Sequence, residues 1–288
     1  MRNGFGSCST NVGSSIPYLS YNRTLFLPFR LGGSLAAPQL FSALYREERP
    51  CLLPDHGNIY NTQSVFADTD SMFDWDRIQT VILDMDGTLL DLRFDNHFWL
   101  EHVPKHYAQL HGISITQAEQ RLFPRMRELR GQLDWYCTTF WTQETGLPII
   151  QLKQEISHLI QLRAQVLPFL EYLRDMGKEV VLFTNAHEDT LALKMEKTGL
   201  APAFDKMVTS HSLGHAKETP QAWEKLGEQI DYDPGQSLFI DDSLAVLDAA
   251  RIHGVARLFG IAQPDSQGER MQHERYTLLE SFAQIMPS

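Results

Sequence analysis

The stretch Val81-Ile82-Leu83-Asp84-Met85-Asp86-Gly87-Thr88 decides how the rest of the chain is read. A short apolar run without alternation belongs to a strand covered on both faces. Two carboxylates separated by one residue then fall at the carboxyl edge of the sheet, where open α/β folds bind ligands. Gly87 permits the following turn and the close backbone approach that a phosphate needs. A solvated acidic loop is the competing reading of the same residues.

Working outward, Val180-Val181-Leu182-Phe183, Met207-Val208, Leu238-Phe239-Ile240 and Val255 to Phe259 repeat the strand pattern. Helices are predicted between them at Leu167–Met176, Glu188–Thr198, Pro220–Gln229 and Leu244–His253. This alternation predicts the α/β class, with a Rossmann-like parallel sheet core and helices on both faces. The residues from Asp84 to Thr184 contain no further strand-like run. They predict helices over Asn96–Leu110, Thr116–Arg130, Leu133–Glu144 and Pro148–Leu162, with kinks or breaks at Pro104 and Pro124. The expected organisation is an α/β core of residues 72–90 and 165–288, with residues 91–164 inserted as an α-helical cap.

Residues 1–71 read differently. They hold five Arg, five acids and no Lys, so the net charge of −11 belongs to the residues from Met72 onward. Gly, Ser, Asn and Pro interrupt every apolar stretch, and neither helix nor strand is predicted. A disordered extension, or upstream sequence translated ahead of a start at Met72, is expected. Residues 1–46, with four Arg and no acid, carry only a faint targeting flavour and lack a secretory h-region.

The chain has 288 residues, 43% hydrophobic and 21% charged, which is the composition of a soluble globular protein. No apolar run approaches the roughly 18 residues of a membrane span, so no membrane partner is expected. An acidic surface without a basic patch also excludes general binding to a nucleic acid polymer, while small anionic substrates are compatible with it. Cys8, Cys51 and Cys137 fit no metal spacing or disulfide ladder, and the histidines form no recognisable metal cluster. A reducing, cytoplasmic location follows as the expectation. The oligomeric state is not legible.

Three more features complete a pattern. Thr184, followed by Asn185, ends the second strand. Lys217 precedes Thr219-Pro220, a cap and first-turn pair. Asp241-Asp242 closes the strand Leu238-Phe239-Ile240. Singly these are a cap, a solvated lysine and another cap. In this order, with Asp84 and Asp86, they resemble the haloacid dehalogenase-like hydrolase superfamily over about Gln79 to Gly260.

That resemblance implies phosphoryl transfer assisted by Mg²⁺, since an anionic nucleophile attacking a phosphate dianion needs a nearby cation. The implied metal ligands are the Asp84 side chain, the Asp86 backbone carbonyl, Asp242 directly and Asp241 through water. Asp84 would take the phosphoryl group as an aspartyl-phosphate, and Asp86 would act as acid, then base. Thr184, the amides after Asp84, and Lys217 would hold the transferring oxygens. Dehalogenases lack a second aspartate at the Asp86 position, so the resemblance favours phosphate esters over carbon–halogen bonds. Glu218 and Ile240 depart from the residues many relatives carry beside these motifs.

Placement of the insertion after the first motif resembles the class with a C1-type cap, which implies a small-molecule phosphate ester as substrate. The segments Asp91-Leu92-Arg93-Phe94-Asp95-Asn96, Leu133-Asp134-Trp135-Tyr136-Cys137, Thr184-Asn185-Ala186-His187 and Phe239-Ile240-Asp241-Asp242-Ser243 resemble the bacterial GMP/IMP nucleotidase branch, which implies a purine nucleoside 5′-monophosphate. The cap aromatics Phe94, Phe98, Trp99, Tyr107, Trp135, Tyr136, Phe140 and Trp141 would either stack a base or pack the cap's own core. Asn185, Arg93 and Asn96 are candidate substrate contacts, with loop salt bridges as the competing account. His187 is a rim or a surface residue. A phosphatase or phosphomutase for a sugar phosphate or organic acid phosphate, and a non-catalytic binding module, are the alternatives.

Overall fold

A computed structural model describes residues 73–287. The expectations for residues 1–71, and for Cys8 and Cys51, lie outside the described residues.

Six strands form one sheet: β1 (Thr80–Leu83), β2 (Glu179–Thr184), β3 (Lys206–Thr209), β4 (Ser237–Ile240), β5 (Arg257–Ile261) and β6 (Thr277–Leu279). Their spatial order is β3-β2-β1-β4-β5-β6, and every pairing is parallel. This is a Rossmann-like α/β core. All residues of β1 and β4 are buried, which explains their uninterrupted apolar runs. Val81 and Leu83 join one core cluster, with Phe169, Leu173 and Phe282. Ile82 joins the cluster on the opposite face, with Trp223, Leu226 and Val246. The strand β6 was not anticipated, because three residues are too few to carry a period. It pairs through Gly260↔Leu278, and a Cβ on Gly260 would meet the Leu278 side chain.

In chain order the helices of the insertion are α1 (Arg93–His97), α2 (Val103–His111), α3 (Ile115–Leu129), α4 (Leu133–Tyr136), α5 (Thr138–Thr145) and α6 (Ile149–Glu155). A π-helical stretch at Phe98–His102 joins α1 to α2, and Pro104 sits in the first turn of α2, where its missing N–H costs nothing. The break expected at Pro124 does not occur: α3 runs unbroken through it, started by a capping box between Ser114 and Gln117. These helices have their own core around Phe94, Phe98, Trp141 and Met126, with Trp99, Tyr107, Trp135 and Phe140 packed against it. Seven of the eight aromatics therefore pack the insertion itself, and Tyr136 reaches elsewhere.

The remaining helices alternate with the strands: α7 (Val166–Asp175), α8 (Glu188–Thr198), α9 (Ser210–Leu213), α10 (Pro220–Gln229) and α11 (Leu244–His253). Thr219 and Pro220 open α10, but the Thr219 hydroxyl donates back to the Ala216 carbonyl instead of capping the helix. No described helix is long and apolar enough to cross a membrane.

Candidate active site

Leu83 lies level with Leu182 on one side and Ile240 on the other, so the strand order reverses at β1, between its neighbours β2 and β4. The next residues, Asp84 and Asp241, leave the sheet side by side at its carboxyl edge, the place where such sheets open a crevice. Lys217 sits between them: its Nζ donates to Asp84 Oδ1 at 2.5 Å, to Asp241 Oδ2 at 2.7 Å and to the Phe183 carbonyl at 3.1 Å. Asp241 is also fixed by the Ser243 amide at 2.7 Å.

The loops are tied to one another. Asn185 Oδ1 accepts from the Lys217 amide at 2.9 Å and from the Ser210 hydroxyl, while its Nδ2 donates to Glu218 Oε2 at 3.0 Å. The Asn185 amide thus holds the lysine loop. Thr184 Oγ1 accepts from the Ala186 amide at 3.0 Å, which leaves the hydroxyl hydrogen for a further acceptor. Gly87 has φ +87°, and a Cβ there would run into the Asp242 carboxylate. Only glycine lets that carboxylate approach the turn.

Burial dominates the electrostatics. It pushes the Asp84 carboxyl up to about 6 against the pull of Lys217, and the Asp86 carboxyl up to about 6 against the pull of Lys194. Asp242 is raised well above the carboxylate range by burial and by Asp241 and Asp84. Burial alone would discharge Lys217, but Asp241 and Asp84 outweigh it and keep the ammonium charged.

A second buried charge group adjoins the first. Lys194, 1% exposed, donates to Asp86 Oδ1 at 2.5 Å and to Asp95 Oδ2 at 2.6 Å; Lys153 donates to Asp95 Oδ1 at 2.9 Å and lies over the rings of Phe94, Phe98 and Trp99. Lys194, Asp95 and Lys153 were not anticipated as site residues. The signal lay in α8, where Lys194 falls one turn after the buried Thr190, on the stripe facing inward. Asp95 and Lys153 meet only because α1 and α6 pack together, which no local pattern records.

The donor set fits Mg²⁺. Asp84, Asp241 and Asp242 each offer a carboxylate oxygen, all within 4.8 Å of one another, and Asp84 Oδ2 is buried with no hydrogen-bond partner among the described residues. In the linked network the carboxylates of Asp84, Asp86, Asp95, Asp241 and Asp242 face the ammoniums of Lys153, Lys194 and Lys217. Fully ionised, this set carries two more negative than positive charges, which a divalent ion would offset, and hard oxygen donors suit such an ion. The Asp86 carboxylate turns toward Lys194 rather than into this group.

Arg93 and Asn96 are engaged elsewhere. Arg93 pairs with Glu101 at 3.4 Å and lines a cavity of about 400 Å³ with Asp91, His158 and Gln267. Asn96 is buried and donates to Asp265 at 2.6 Å, fastening α1 to the loop after β5. His187 forms the N-cap of α8.

Comparison with known proteins agrees with this geometry. Residues 78–254 match the haloacid dehalogenase-like hydrolase family. The GMP/IMP nucleotidase YrfG of Escherichia coli is 37% identical over 214 residues, covering 74% of this chain and 96% of that protein. A phosphorylated carbohydrates phosphatase of Thermotoga maritima is 22% identical over 67% of this chain and 90% of its own length. The crystal structure of a phosphatase of the same superfamily from Thermococcus onnurineus superposes with a TM-score of 0.57 at 25% identity, covering 70% of this chain and 93% of that one. With the aspartates at the switch point of a parallel sheet and the family match spanning both strands that carry them, β1 and β4, the chain belongs to the haloacid dehalogenase-like hydrolases.

Proposed function

We propose that this protein is a Mg²⁺-dependent phosphomonoesterase acting on purine nucleoside 5′-monophosphates, GMP and IMP among them. The observation that carries the phosphatase reading is the Asp84 carboxylate: Lys217 fixes one oxygen, and the other is buried with no hydrogen-bond partner among the described residues, as a group that must meet a reacting atom or a cation requires. The purine nucleotide comes from the similarity to the Escherichia coli nucleotidase.

Asp84, Asp241, Asp242 and the Asp86 carbonyl would hold the ion. Bound there, Mg²⁺ supplies charge neutralisation for the phosphoryl oxygens. Asp84 attacks phosphorus and forms an aspartyl-phosphate as the ester bond breaks. Asp86 gives its proton to the departing 5′-oxygen, then takes one from the water that cleaves the acyl phosphate. A carboxyl raised to about 6 by burial is suited to both tasks near neutrality. Thr184 donates to a transferring oxygen, and Lys217 offsets its charge. The insertion acts as a cap: Tyr136 donates to Glu218 Oε1 at 2.5 Å, and Glu218 in turn accepts from Asn185, which joins the cap to the loop beside Thr184.

The test is phosphate release from a panel of nucleotides, sugar phosphates and organic acid phosphates, with Asp84→Asn as control. Activity concentrated on GMP and IMP, reduced roughly a thousandfold or more by the control, is the expected result. Higher rates on sugar phosphates would replace the nucleotide reading, and release unaffected by Asp84→Asn would overturn the mechanism.

A further inference from the structure

Away from the aspartates, the fold gathers three soft or borderline donors from three separate segments. Cys137 is the N-cap of α5 in the insertion, His187 the N-cap of α8, and His211 lies in α9 after β3. One donor atom of each lies within 4.8 Å of the other two, and the two imidazoles stand edge to face with centroids 4.8 Å apart. The spacing in sequence is too long and irregular for a recognisable motif, which corrects the expectation that the histidines form no metal cluster.

Two further observations point to a ligand. Both ring nitrogens of His211 are buried without a hydrogen-bond partner among the described residues, although a neutral imidazole has one N–H and one lone pair to satisfy. His187 Nδ1 accepts from the Asp189 amide at 3.4 Å as the helix cap, which leaves Nε2, with the Glu188 carboxylate 3.6 Å away, for a ligand.

We infer that Cys137, His187 and His211 form a second metal site, for a Zn²⁺-class ion, that bridges the insertion to the core. One thiolate with two imidazoles matches zinc and is a poor set for Mg²⁺, which prefers oxygen. Three protein ligands leave a fourth position for water or for the Glu188 carboxylate. Tyr136, next to Cys137, already contacts Glu218 across the same gap, so an ion here would pin the corner between α4 and α5 beside the candidate active site. This inference is independent of the proposed substrate and of the carboxylate-bound ion.

The test is a Co²⁺ titration of the full chain with Mg²⁺ in excess to occupy the carboxylates. Expected is one Co²⁺ per chain with a near-ultraviolet thiolate-to-cobalt charge-transfer band, which a carboxylate site cannot give, and displacement of that band by Zn²⁺. Cys137→Ser should abolish the band; serine can take over the cap bond that Cys137 Sγ accepts from the Phe140 amide, so the helix start is preserved. His187→Ala and His211→Ala should each weaken binding by at least about tenfold, while Asp84→Asn retains the band. No band in the wild type overturns the site. So does a band surviving Cys137→Ser, which would assign the ion to Cys8 or Cys51, or unchanged affinity in both histidine variants.

Discussion

Lys194 is the residue through which the buried charges of the insertion reach Asp86. It is enclosed, bonded to Asp86 and to Asp95, and stands on a core helix rather than on the motif loops. Replacing it with Met leaves the half-buried Asp86 carboxylate without its ammonium and Asp95 with Lys153 alone, which costs up to about 3–5 kcal/mol by the usual penalty for breaking a buried pair. Lys194→Met is therefore expected to lower Tm and to reduce kcat far more than it raises KM, because Asp86 loses its alignment while phosphate contacts persist. Wild-type melting and turnover would remove Lys194 from the site. Asp95 makes a second prediction. Burial raises its carboxyl, but Lys153 and Lys194 outweigh burial and hold it at about 2, below the ordinary 3.8. A group lowered on folding adds stability that is complete above its unfolded value and is lost as pH falls through the folded one. The acid limb of the stability curve should accordingly be shallower in Asp95→Asn than in the wild type, as read by denaturant midpoints between the ordinary carboxylate value and about pH 2.

At the level of elements, the helices from α1 to α6 have their own apolar core and meet the sheet domain at a few polar points. Asn96 to Asp265, Lys153 and Asp95 to Lys194, and Tyr136 to Glu218 are three of them. Tyr136→Phe removes one hydroxyl and leaves the ring. Its cost to stability should stay within about 1–3 kcal/mol, the net worth of one hydrogen bond to a carboxylate. The proposed cap role makes kcat/KM for a nucleotide the more sensitive readout, with a loss of several-fold and little change for a small ester such as p-nitrophenyl phosphate. Equal losses on both substrates would argue that the contact serves stability alone.

For the whole molecule, a cation held by the aspartates only in the folded state would make stability depend on its concentration. At a free concentration roughly a hundred times Kd, an ion bound only by the folded state adds about 2.7 kcal/mol, a rise of several degrees in Tm for a domain of this size. Mg²⁺ should therefore raise Tm, chelation should reverse it along with turnover, and Asp242→Asn should blunt the response. A Tm indifferent to Mg²⁺ would contradict the charge argument. The parallel sheet, its helices and the order of the motif residues were legible in the chain, because buried strands are continuously apolar and helices repeat at 3.6 residues, both local properties. Asp84, Asp86, Lys217, Asp241 and Asp242 could be picked out since each lies at or near the end of such an element. The chain alone could not show Lys194 against Asp86, Asn185 holding the lysine loop, Arg93 and Asn96 turned to other partners, or Cys137 beside two histidines. Those are meetings of segments far apart in sequence, and they come into being only when the insertion packs its own core and docks on the sheet.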